Sequence, residues 1–161
     1  LLKGDSDDLE KIDTDVKKGT LIIKQKEKSW FGSWDSGKVY ITIPVEDINK
    51  VVLSGSGEIF ADFPLEGNHF KTFLSGSGEI NLNLDVTAVN GTVTGSGEIT
   101  LTGKGSKVNF NVTGSGDIEA DGIKADTAEA RVTGSGDIIC KGNPRKQKTK
   151  VTGSGDIIVQ N

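Results

Sequence analysis

Six acidic residues stand behind one repeated glycine motif. Glu58, Glu79, Glu98, Asp117, Asp137 and Asp156 each follow a Gly-Ser-Gly tripeptide and precede an isoleucine. Carboxylates recurring at a fixed interval can hold a cation, act as an acid–base pair on a sugar, or stand solvated in a row. Stacked at the ~4.8 Å separation of neighbouring strands, like charges repel by ~1 kcal/mol per pair in water, and by more if desolvated. Calcium relieves such repulsion in Gly-Gly-x-Gly-x-Asp nonapeptide repeats. The motif here is Gly-Ser-Gly-Asp or Gly-Ser-Gly-Glu, once per repeat, so the nonapeptide spacing fails. Calcium on these six residues is therefore an alternative to a solvated row whose oxygens accept bonds from corner N–H groups. Carboxylates ~5 Å apart also suit a retaining glycosidase pair. Any two stacked acids share that separation, and a catalytic site must break the repeat with unlike groups. No such constellation stands out, so the expectation is a protein that is not an enzyme and needs no cofactor.

Other reactive residues are sparse. His69 is the only histidine and reads as a surface residue of a Glu66-Gly67-Asn68-His69 turn. Cys140 is the only cysteine, which rules out an intrachain disulfide, and it shares an inward position with Leu101 and Ala120. It is expected to be a small buried hydrophobe. The candidate binding residues are aromatic: Trp30, Phe31 and Trp34 in one loop, and Phe60 and Phe73 on the outward parity of their strands. Exposed aromatics mark contacts to sugars or proteins, although large aromatics are more commonly covered. Lys141, Arg145, Lys146, Lys148 and Lys150 form a basic run that could meet an acidic glycan or an anionic lipid surface, or simply stay solvated and deter edge pairing. Six acids between Asp5 and Asp15 read as solvating the N-terminal region. Thr94, Thr113, Thr133 and Thr152 repeat as one file, a thin basis for an ice-binding face. Asn90-Gly91-Thr92 and Asn111-Val112-Thr113 match the glycosylation triplet by chance.

The elements that must position these groups follow from the repeat. Its copies begin at Gly55, Gly76, Gly95, Gly114, Gly134 and Gly153, spaced by 21, 19, 19, 20 and 19 residues. Leu53, Leu74, Val93, Val112, Val132 and Val151 precede them by two residues, and Ile59, Ile80, Ile99, Ile118, Ile138 and Ile157 follow the first glycine by four. Around each copy apolar and polar residues alternate, as in Val108-Asn109-Phe110-Asn111-Val112. Alternation of period two means strands with one buried face. A unit of this length cannot bury its apolar face alone and must stack on its neighbours. The expected fold is all-β: a right-handed parallel β-helix (β-solenoid) of about six coils over residues 51–161. Residues 1–50 read as an irregular, partly antiparallel β cap, with strands at Leu21–Ile23 and Val39–Ile43. The whole chain is expected to be a single domain. Asn90-Gly91 alone would suggest a tight hairpin, but the repeat register puts it inside a strand.

The bulk numbers agree. The chain has 161 residues, an apolar fraction of 34% and a net charge of −4. That charge disfavours nucleic acid, and no apolar run is long enough to span a membrane. The chain contains no methionine and opens with Leu1, so it reads as processed or trimmed, with any export signal removed. No cap is evident after the sixth copy, which suggests a homo-oligomer through the solenoid end or edge.

The VTGSGDI blocks, the Tyr40-Ile41-Thr42-Ile43-Pro44 strand leading into Leu53-Ser54-Gly55-Ser56-Gly57, and the late Lys141-Gly142-Asn143-Pro144 resemble the putative auto-transporter adhesin, head GIN domain family, common in Bacteroidetes. The resemblance covers nearly the whole chain. It implies an exported protein, extracellular, periplasmic or on the cell surface, in some cases lipid-anchored, with a right-handed β-helical fold and no catalytic residues to transfer. The function it implies is a binding module that presents a rigid surface to a glycan or a protein.

Overall fold

The computed structural model describes residues 1–26, 38–120 and 122–160, in two compact units, Leu1–Val45 and Glu46–Asn161. The first unit contains β1 (Leu2–Lys3), the single-turn helix α1 (Ser6–Leu9), β2 (Ile12–Lys17), β3 (Thr20–Gln25) and β4 (Tyr40–Ile41). Two small antiparallel sheets form, β1 with β4 and β2 with β3. The β2–β3 hairpin turns at Lys18 and Gly19, both at positive φ (51° and 76°), the combination a two-residue type I′ turn requires. The strand expected at Leu21–Ile23 is thus β3, and that at Val39–Ile43 shortens to β4. Strand β2 and helix α1 are additions that the sequence reading did not foresee.

The second unit is a parallel β-solenoid of about six coils. Its strands are β5 (Lys50–Gly55), β6 (Glu58–Phe60), β7 (Leu65–Gly76), β8 (Glu79–Gly95), β9 (Glu98–Gly114), β10 (Asp117–Ala120), β11 (Thr127–Gly134), β12 (Ile138–Lys141), β13 (Lys146–Gly153) and β14 (Ile157–Gln160). Every pairing among them is parallel. The isoleucines form one unbroken file: Ile59, Ile80, Ile99, Ile118, Ile138 and Ile157 are successive register partners. So do Leu53, Leu74, Val93, Val112, Val132 and Val151. Ile80, Ile99, Ile118 and Ile138 are fully buried, each contributing roughly 1.5–3 kcal/mol.

Two glycine positions show how closely the coils stack. Gly95 has φ +121°, and a β-carbon there would lie 2.5 Å from the Gly76 carbonyl oxygen of the coil below. Both the backbone angle and the approach exclude a side chain. Gly91, in the Asn-Gly pair, lies within β8 as the register expects, with Phe110 as its partner in β9. A β-carbon on Gly91 would meet the Phe110 ring at 2.9 Å, so this glycine makes room for the aromatic ring in the core. Strands β8 and β9 each run 17 residues, alternating inward and outward through the corner. The later coils are interrupted after Ala120 and after Lys141. There Gly142, Asn143 (φ 50°) and Pro144, which lacks an N–H, break the ladder.

Candidate functional site

The acid file exists, and its chemistry depends on side-chain length. Glu58, Glu79, Glu98 and Asp117 are successive register partners. The Asp137 N–H donates to Asp117 Oδ1 at 2.7 Å, and the Asp156 N–H donates to Asp137 Oδ1 at 2.7 Å. Where the coil below carries glutamate, the amide goes elsewhere: the Glu98 and Asp117 N–H groups both donate to glycine carbonyls, Gly78 O and Gly97 O, at 3.1 Å. The glutamates reach along their own strands instead. Glu79 Oε1 accepts from Asn81 Nδ2 at 2.7 Å, and Glu98 Oε1 from Thr100 Oγ1 at 3.4 Å. Among the described residues no group of three or more His, Cys, Asp or Glu side chains is placed to hold a metal ion, so the calcium alternative gains no ligand set.

Alternation along β5, β7, β8, β9, β11 and β13 makes the other arrangement, an outward face of vertical files. One file runs Lys50, Lys71, Asn90, Asn109, Glu129, Lys148, and the next Val52, Phe73, Thr92, Asn111, Arg131, Lys150. The flanking file is Ser54, Ser75, Thr94, Thr113, Thr133, Thr152. In the first coils Val52 and Phe73, 47% and 37% exposed, are the apolar residues lining a shallow groove of about 290 Å³ beside Lys50, Lys71, Asn90 and Thr92. Phe73 therefore lies in a groove. Phe60 is exposed on β6, where its register partner is Asn81. Trp30, Phe31 and Trp34 lie outside the described residues. Phe63, also exposed, was missed by sequence reasoning because it follows the strand and has no parity to read.

His69 is not in a turn. It lies within β7 opposite Ala88, exposed and on the outward parity of Lys71 and Phe73. Gly67 and Asn68 carry turn composition, but pairing with β8 holds the backbone extended through them. Cys140 is buried in register between Ala120 and Val159, and burial pushes its thiol pKa up, which suits an inert core residue. The N-terminal acids do more than solvate: Asp8, Asp13 and Asp15 pair with Lys11, Lys24 and Lys17.

A second, larger groove of about 650 Å³ crosses one corner of the solenoid, where Gly67, Gly103, Gly105 and Gly122 leave its floor without side chains. Asp85 and Lys104 form an ion pair of 2.8 Å at its rim. That hydrogen bond and charge hold the Lys104 ammonium above its ordinary pKa. The signal for this groove was available as glycines at neighbouring repeat offsets, outside the Gly-Ser-Gly motif.

These features define a class: a parallel β-solenoid that displays an outward, mostly polar sheet face. The chain belongs to the family described as "Putative auto-transporter adhesin, head GIN domain", whose model matches residues 1–161. A solved structure of a putative adhesin from Bacteroides fragilis NCTC 9343 is similar, with a TM-score of 0.79 at 23% identity, covering 95% of this chain and 78% of that one. Another, of a putative lipid binding protein from Parabacteroides distasonis ATCC 8503, has a TM-score of 0.73 at 23% identity, covering 99% of this chain and 82% of that one. At this identity the two structures speak for the fold alone. No functionally curated protein matches the chain.

Proposed function

We propose that the chain is a non-catalytic binding module, exported to the cell surface or its surroundings, that holds a glycan or protein ligand on the outward sheet face. The observation that carries this is the Val52–Phe73 groove. An apolar floor ringed by Lys50, Lys71, Asn90 and Thr92 offers stacking surface together with hydrogen-bond donors and acceptors. Membership of an adhesin-type family supports the reading. Among the described residues no helix is long and apolar enough to cross a membrane. A glycan array and a pull-down with the whole chain test the proposal. Binding should weaken about tenfold in Phe73→Ser, the loss of one aromatic anchor. Absence of any ligand in both assays, together with turnover of a polysaccharide, would favour an enzyme instead.

Val151 and Ile158, 42% and 38% exposed on β13 and β14, favour a second reading, a scaffold that assembles by pairing along these strands. Light scattering separates the two, since a monomer at high concentration removes the assembly reading.

A further inference from the structure

The outward face changes character along the stack. Its first coils are partly apolar, its middle carries amides and hydroxyls, and its last three strands are basic. Lys107 of β9 and Lys146 of β13 flank Thr127 in one file. Lys148 adjoins Glu129, and Arg131 adjoins Lys150. Along β13, Lys146, Lys148 and Lys150 occupy alternate positions on one face, ~6.8 Å apart, while the strands are ~4.8 Å apart. Five cations therefore share the outward positions paired across β9, β11 and β13 with one anion, Glu129, in a chain whose net charge is −4. All five are exposed, and none forms an ion pair with a described residue. Arg131 and Lys150 stand side by side as like charges with nothing between them to neutralise either.

The neighbouring groups indicate what kind of anion fits. Asn109 and Asn111 continue the same face, with Asn111 Nδ2 donating to Asn109 Oδ1 at 3.3 Å. Thr113, Thr133 and Thr152 supply a file of hydroxyls along the flank. Amides and hydroxyls match the hydrogen-bonding groups of sugars. The outward positions of β9, β11 and β13 present no large apolar side chain to enter a bilayer and no aromatic ring on which a base could stack.

We propose that the outward face of β9, β11 and β13, through Lys107, Arg131, Lys146, Lys148 and Lys150, binds a linear anionic polysaccharide carrying carboxylates or sulfates. This rests on the binding-module reading above and names its ligand class.

The test measures binding of the whole chain to polygalacturonate and to chondroitin sulfate, with neutral dextran and phosphatidylglycerol vesicles as comparisons. Both acidic polymers should bind, and more weakly by about tenfold between about 50 mM and about 300 mM salt, since exposed charges are screened. The triple variant Lys146→Ser, Lys148→Ser, Lys150→Ser should lose at least about tenfold in affinity, while the triple exchange of these lysines for arginine keeps binding within about threefold. Thermal melting of each variant checks folding, and Arg131→Ser alone provides a milder probe of the same patch. Equal binding to dextran, preference for the vesicles, or full binding by a folded triple serine variant would overturn the proposal. A neutral glycan or protein ligand that depends on Phe73, with neither acidic polymer bound, overturns this inference and leaves the binding module standing. Failure to find any ligand by array and pull-down overturns both.

Discussion

One methylene separates aspartate from glutamate, and in the acid file it decides where a backbone amide goes. The short carboxylate of Asp117 reaches the Asp137 N–H in the coil above, whereas the glutamates bond along their own strands. Asp117→Ala should therefore cost about 1 kcal/mol, the worth of one such bond, while Glu79→Ala stays within about 0.5 kcal/mol; urea denaturation midpoints compare them. Equal costs would mean that the Asp117 bond adds nothing to stability. Gly95→Ala is a larger change. It forces a side chain onto φ +121° and against the Gly76 carbonyl, so a loss of about 3 kcal/mol is expected in the same measurement. The repeated glycines were legible in the sequence, and so was their need for special backbone angles. The Asp–Glu division of labour was not, because it depends on the height between coils and not on residue type alone.

At the level of elements, alternation identified the strands of the repeat because each turns one face into the solenoid interior. The same reasoning missed β2, although Ile12-Asp13-Thr14-Asp15-Val16 alternates. All six acids that mark this region lie before or within that strand, and their charge masks the pattern. His69 was misplaced for a related reason. Local turn composition at Gly67-Asn68 yields to the hydrogen bonds of a long parallel ladder, just as Asn90-Gly91 yields beneath Phe110. The Gly142-Asn143-Pro144 connection is the opposite case, where local preference prevails. Asn143 adopts φ 50°, tolerated by asparagine and costly for a branched residue. Asn143→Val should destabilise the solenoid by about 1–2 kcal/mol, read as a fall in melting temperature, whereas Asn143→Gly should be close to neutral. A valine variant as stable as the parent would show that this connection carries no conformational constraint.

Across the solenoid as a whole, stability is spread over neighbouring coils and not concentrated in one core. Coils in the middle are covered on both sides, as the full burial of Val93, Ile99 and Leu101 shows. Every residue of β13 is exposed. Hydrogen exchange should reflect this, with amides of β8 and β9 opening only near global unfolding and those of β13 exchanging at least about tenfold faster. Uniform protection through all coils would contradict a stack held by nearest-neighbour contacts. The basic patch also belongs to this scale, since Lys107, Arg131 and Lys150 come from three different coils.

The sequence by itself determined the repeat period, the alternation of buried and exposed positions, and so the parallel stacking of similar coils. Those properties are local, and each copy repeats them with the same residues. Tertiary structure alone decided which carboxylates bond to the next coil, why Gly91 must face Phe110, and how cations far apart in the chain come to share one surface. These outcomes depend on register and separation between coils, which are set by steric contact across strands and by connections of unequal length. The Lys107, Arg131 and Lys146–Lys150 patch could have been found by counting back from Gly114, Gly134 and Gly153. That the patch is exposed and without ion pairs to described residues required the arrangement in space.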